Sequence, residues 1–177
     1  MGDYAPTDVE LDASDMALAV VAGRFNSHIT TRLVAGATEA LQQFGHVGDV
    51  PVHWVPGAFE IPLAAKWLAT SGTVDAVICI GAVVRGDTPH FEYVSGPCAE
   101  GCARVAVDTG VPIAFGVLTT NDEQQALDRC GGSEGNKGAE AAATAVEMVA
   151  LRRRLPVPTR TNPARLDPAV SKGRPEC

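Results

Sequence analysis

Val74-Asp75-Ala76-Val77-Ile78-Cys79-Ile80-Gly81-Ala82-Val83-Val84-Arg85-Gly86-Asp87-Thr88-Pro89-His90 decides how the chain folds. Its first half is an unbroken apolar run rich in Val and Ile, the pattern of a strand buried on both faces of a parallel sheet. Gly81 and Gly86 then loosen the backbone for close turns. Thr88-Pro89 has the order of an N-cap followed by proline at the first helical position, so a helix is predicted to begin there. His90 falls in its first turn, just past the carboxyl end of a central strand, where open α/β sheets hold ligands. The free N–H groups of a helix start suit an anion, with the Thr88 hydroxyl as a further donor and an imidazole that titrates near neutrality beside them. From this stretch alone, an anion-handling catalytic site and a histidine that merely helps cap its helix are equally good readings.

Working outward, Met16–Ala22 reads as a second buried strand, ended by Gly23 and followed by the loop Gly23-Arg24-Phe25-Asn26-Ser27. A helix is predicted from about Ile29 to Phe44, with Leu33, Ala37, Leu41 and Phe44 on one face. Phe25 either staples that helix or offers a ring for stacking. Val47 to Val55 reads as a strand, and Pro51 near its start marks it as an edge. Pro56-Gly57-Ala58-Phe59-Glu60 turns into a helix reaching about Ala69. Glu60 there either complements the helix dipole or accepts hydrogen bonds from substrate hydroxyls.

Beyond His90, the helix carries Phe91, Val94, Cys98, Cys102 and Val105 on one stripe. Cys98 and Cys102 are spaced like a metal pair, but on a buried face they read as small core side chains. Pro112–Thr119 is the fourth strand, Glu123 to about Arg129 a short helix, and Cys130–Asn136 a break. The last helix, about Lys137 to Arg153, holds small residues from Ala139 to Ala145, suited to close helix contacts within the chain or on an oligomer axis. The alternation predicts a single three-layer α/β domain with a four-strand, mostly parallel sheet. Its boundaries are an acidic arm over 1–15, the domain over 16–151 and a disordered, basic, Pro-rich tail over 152–177.

The net charge of −7 hides an asymmetry. Residues 152–177 hold seven of the fourteen bases and two of the acids, leaving seven bases against nineteen acids before them. Nucleic acid is a poor partner for so acidic a body, and an anionic ligand needs a local cluster of cations. No apolar run spans a membrane, and Met1–Asp15 lacks the plan of a signal peptide. Five cysteines, four of them within predicted elements, fit reduced thiols in a cytoplasmic protein.

The chain resembles the 6,7-dimethyl-8-ribityllumazine synthases of riboflavin biosynthesis. The resemblance rests on Gly23-Arg24-Phe25-Asn26, Val55–Pro62 and Gly81–Val94, and further on Gly110-Val111-Pro112, Phe115–Thr120, Glu123–Leu127, Arg129 and Gly135-Asn136-Lys137-Gly138, all in order over about residues 16–151. It implies a flavodoxin-like fold and condensation of 5-amino-6-(D-ribitylamino)uracil with 3,4-dihydroxy-2-butanone 4-phosphate, releasing phosphate and water. It implies no metal and no cofactor, and active sites shared between neighbouring subunits of a homo-pentamer. By position, Phe25 stacks on the pyrimidine, while Ala58, Phe59 and Glu60 hold the ribityl chain and ring. Ala82, Val83 and Val84 meet the pyrimidine edge through backbone groups. Asp87, Thr88 and Arg129 bind the phosphate, His90 moves protons, Phe115 comes from the adjacent subunit and Lys137 lies near the substrate.

Asp87 departs from the family pattern, placing a carboxylate where a small or neutral residue is usual. The short link Cys130–Asn136 is of the kind that accompanies pentamers packed into 60-subunit icosahedral shells. Two rival readings share the frame: a non-catalytic, shell-forming or ribityl-compound-binding paralogue, and a flavodoxin-like flavin carrier.

Overall fold

Six apolar residues without polar alternation, Leu18–Gly23, form β1, and every one of them is buried. The computed structural model, which describes residues 11–156, continues with α1 (Ser27–Gln43), β2 (Val52–Val55) and one 3-10 turn over Ala58–Glu60 leading into α2 (Ile61–Ser71). Next come β3 (Ala76–Val84), α3 (His90–Thr109) and β4 (Ile113–Thr120). The chain then makes α4 (Glu123–Asp128), a small hairpin of β5 (Cys130–Gly132) and β6 (Gly135–Asn136), and α5 (Lys137–Arg154).

The main sheet runs β2-β1-β3-β4, and all three pairings are parallel. A parallel sheet must be covered on both faces, which is why its strands read as continuous apolar runs. On one face α1 and α5 pack Ile29, Leu33, Leu41 and Val146 against Val20, Ile78 and Ile80. On the other, α2 and α3 pack Ile61, Ala65, Cys98 and Cys102 against Val21, Val77 and Cys79. The predicted three-layer domain is therefore present, with a wholly parallel main sheet. Leaving β1, the chain steps to one side for β2 and then crosses to the other for β3, so a topological switch point lies between β1 and β3.

The small residues of α5 serve an internal contact. Ala141, Ala142 and Ala145 belong to the core, and a Cβ on Gly138 would lie 2.0 Å from the Leu33 carbonyl oxygen. Only glycine permits so close an approach of α5 to α1.

Four local expectations need correction. β2 begins at Val52 rather than Val47, because Gly45 and Gly48 turn the preceding chain with positive φ. Thr88 makes no capping bond: Pro89 stands at the cap position, its carbonyl accepting the Glu92 N–H, and His90 is the first residue of α3. The break after α4 is a hairpin whose turn is closed by Gly135 at φ 73°. Finally, Arg152–Arg154 form the last turn of α5, close to the predicted helix end at about Arg153, so the tail boundary drawn at 152 falls inside the helix. Arg153 ties that turn to Asp15 at 2.7 Å and Asp75 at 3.5 Å, and Asp75 also accepts the Ala17 N–H. Within the arm, Leu11–Asp15 are folded in, with Ala13 buried and its N–H bonded to the Phe44 carbonyl. Residues 1–10 of the arm and 157–177 of the tail lie outside the described residues.

Candidate active site

A cavity of about 530 Å³ opens at the switch point, lined by Phe25, Asn26, Gly57, Ala58, Phe59, Glu60, Ala82, Val83, Val84, His90, Tyr93 and Val94. The elements explain its position. β1 stops at Gly23, while β3 continues past its last pairing with β1 at Ile80, so the carboxyl end of β3 is uncovered on that side. The Phe25 loop, the 3-10 turn and the first turn of α3 wall the gap. Phe25 is 73% exposed, a free ring at the mouth. Its edge rests on Gly57, where a Cβ would come within 3.2 Å of the ring. Ala58 and Ala82 are buried floor residues.

Glu60, His90 and Tyr93 are the titratable side chains lining the cavity. The Glu60 carboxylate accepts the Gly57 N–H at 2.9 Å through Oε2, reaching back over its own turn as helix-start glutamates do. That bond fixes the group and leaves Oε1 without a partner among the described residues. His90 is exposed and is the first residue of α3, at the helix end whose first N–H groups lack intrahelical partners. Asp87 and Thr88 sit in the exposed loop between β3 and α3 and do not line the cavity.

Arg85, a candidate cation from the same loop, is committed elsewhere. Its guanidinium lies 4.1 Å from the Phe91 ring centroid, bonds Asn121 Oδ1 at 3.2 Å and pairs with Glu92. That hydrogen bond from Arg85, with a backbone bond beside it, holds the Glu92 carboxyl below the usual range.

Phe115, Arg129 and Lys137 do not line the cavity. Phe115 lies on edge strand β4, 42% exposed and in register with Cys79, five residues short of the strand end that borders the gap. Arg129 follows α4 and donates to the Gln125 carbonyl, and Lys137 pairs with Glu140 at 2.6 Å. These two are nonetheless held together, because the Lys137 N–H bonds the Arg129 carbonyl at 2.9 Å. Asn136 anchors the arrangement. Its Oδ1 caps α5 by accepting from Gly138 (2.9 Å) and Ala139 (3.3 Å), while its Nδ2 donates to the Arg32 carbonyl of α1 at 3.0 Å.

Sequence reasoning missed Asn26, Tyr93 and Val94 as wall residues. Tyr93 and Val94 follow His90 at i+3 and i+4, the spacing that shares a helix face, so that signal was available. Cys98 and Cys102 lie fully in the core with Cys79. A hydrogen bond with Cys102, and burial after it, push the Cys79 thiol up, as befits a neutral core side chain.

Comparison with known proteins gives one family. Its model, described as 6,7-dimethyl-8-ribityllumazine synthase, matches residues 15–153. Proteins named 6,7-dimethyl-8-ribityllumazine synthase include one from Syntrophus aciditrophicus (strain SB), 53% identical over 150 residues, covering 84% of this chain and 97% of the relative. Another, from Edwardsiella ictaluri (strain 93-146), is 53% identical over 134 residues, covering 75% of this chain and 86% of the relative. With the parallel sheet, the switch-point cavity and matches of this extent in agreement, the chain belongs to the 6,7-dimethyl-8-ribityllumazine synthase family.

Proposed function

We propose that the switch-point cavity is the pyrimidine half of an active site that a neighbouring copy of the chain completes. The chain is a lumazine synthase of riboflavin biosynthesis. It condenses 5-amino-6-(D-ribitylamino)uracil with 3,4-dihydroxy-2-butanone 4-phosphate, releasing phosphate and water. The observation that carries the shared site is one of charge: none of the described residues lining the cavity is Lys or Arg, although one substrate is a phosphate ester.

In this reading Phe25 stacks on the pyrimidine and the backbone of Ala82, Val83 and Val84 meets its polar edge. Ala58 and Phe59 flank the ribityl chain, and Oε1 of Glu60 accepts from its hydroxyls. The loop at Asp87 and Thr88 presents N–H groups to the phosphate at the start of α3. Phe115, Arg129 and Lys137 arrive from the adjacent subunit, Arg129 and Lys137 as the missing cations. His90 moves protons as the amine attacks the ketone, phosphate leaves and ring closure expels water. These steps call for orientation, anion stabilisation and a proton carrier, which the two half-sites supply together.

An exposed apolar stripe supports the contact. Phe59, Leu63 and Trp67, spaced four apart, are 59, 52 and 65% exposed and run from the cavity wall along α2. A cavity face meeting a different face of the next copy is a heterologous contact, which closes a ring when the rotation allows. The ring is a pentamer, packed into a 60-subunit shell through the short β5–β6 hairpin, and it resides in the cytoplasm. Among the described residues no helix is long and apolar enough to cross a membrane.

The test is complementation between subunits. His90→Ala and Arg129→Ala proteins, each impaired alone and assayed at a butanone phosphate concentration well below the raised KM of the second, are unfolded, mixed and refolded together. A shared site regains activity, on the order of a quarter of sites in a random one-to-one ring. No gain from a mixture that re-forms the native oligomer refutes the shared site, and native mass spectrometry of the same sample separates free pentamer from shell.

A further inference from the structure

Asn26 breaks two local rules at once. An asparagine at a helix N-cap takes extended backbone and turns its side-chain oxygen onto the N–H groups of the first turn. Here it stands at φ 56°, ψ 47°, and among the described residues it alone has positive φ without being glycine. Its side chain does not cap α1. It reaches across the cleft instead, Nδ2 donating to the Ala82 carbonyl at 2.9 Å.

The Ala82 carbonyl explains why a donor is needed there. It lies beyond the last β1–β3 pairing, at Ala22 and Ile80, so no strand satisfies it on that side. A buried backbone carbonyl left unpaired is costly, and a strand closing the gap would fill the cavity. The Asn26 amide satisfies the carbonyl while leaving the cleft open. Left-handed backbone is tolerated by asparagine better than by other side-chain-bearing residues. At this position it turns the chain directly after Phe25, whose own N–H bonds the Pro56 carbonyl at 3.2 Å.

We propose that Asn26 is a positioning residue for the pyrimidine: its backbone aims the Phe25 ring, and its amide fixes that ring's loop to the β3 edge opposite. The proposal rests on the reading that Phe25 and Ala82–Val84 contact the pyrimidine. It adds that the spacing between them is set by one side-chain hydrogen bond.

Asn26→Gly and Asn26→Asp separate the two contributions. Glycine keeps the left-handed backbone and deletes the amide. Aspartate keeps the size and the tolerance of positive φ, but sets a carboxylate oxygen against the Ala82 carbonyl. Each is assayed as the assembled enzyme by lumazine formation, varying one substrate at a time. For Asn26→Gly, the KM for the pyrimidine is expected to rise about threefold to tenfold, as befits one net hydrogen bond, while that for the butanone phosphate stays within about twofold. Asn26→Asp is expected to lose more kcat/KM than Asn26→Gly although it retains a polar side chain. Unchanged KM values in Asn26→Gly, or equal rises in both, overturn the proposal. Phe25→Ala is the control: if it leaves the pyrimidine KM unchanged, the underlying reading falls and the proposal with it. If it raises that KM and Asn26→Gly does not, only the positioning role is lost.

Discussion

Replacing Asn136 by alanine removes three things at once, and their sizes can be worked from the contacts. The cap on α5, two N–H groups accepted by Oδ1, contributes about 1 kcal/mol. The bond from Nδ2 to the Arg32 carbonyl contributes about another 1 kcal/mol net. The amide also fills the space over Gly36, where a Cβ would lie 2.2 Å from Nδ2, so truncation opens a small gap between α1 and the hairpin. Together about 2–3 kcal/mol is lost, which for a domain of this length lowers Tm by roughly 5–10 °C. Circular dichroism melts at matched protein concentration measure it, since assembly contributes to apparent stability. Asn136→Asp keeps the acceptor for Gly138 and Ala139 and sets a negative charge at the start of α5, which more than offsets its second oxygen facing the Arg32 carbonyl, so it is expected to fall between. A drop under about 2 °C in Asn136→Ala refutes the reasoning, as does an aspartate variant no better than the alanine one.

His90→Ala is expected to lower kcat about 10²–10⁴-fold while sparing substrate binding; turnover within about threefold of wild type removes its role as proton carrier. Arg129→Ala is expected to raise the KM for the butanone phosphate far more than for the pyrimidine, and equal effects on both speak against a phosphate contact. Leu63→Glu, a charge in the middle of the α2 stripe, is expected to give a folded but dissociated and inactive protein. Light scattering and the lumazine assay test it together, and a fully assembled, active variant places the subunit contact elsewhere.

The parallel sheet was legible because burial on both faces marks its two central strands, and Leu18–Gly23 and Ala76–Val84 carry that mark plainly. His90 was legible because a strand, two glycines and a proline fix where a helix can start. The local grammar failed where tertiary contacts override it. Asn26 reads only as a loop residue, and the Ala82 carbonyl across the cleft, left without a strand partner on that side, explains what its side chain does. Arg152 and Arg153 fell within both the predicted last helix and the predicted tail; cations suit the end of a helix, and Arg153 finds Asp15 and Asp75. The cysteines, weighed as metal pair or core, are core. Phe115, Arg129 and Lys137 could be named from the resemblance, yet none of the three lines the cavity of the chain on its own.

The Arg153 clamp also decides where the chain can be extended. Asp15 and Asp75 precede the first residues of β1 and β3, so α5 ends at the amino edge of the sheet, whereas the cavity opens at the carboxyl edge. At about 3.3 Å per residue the length of β3 separates the two by about 25 Å. The cavity and the continuation of the polypeptide thus lie at opposite edges of the sheet. A cargo or affinity handle fused after Pro156 starts from the end remote from the cavity, and this lets the cavity end stay unaltered while the other is re-engineered.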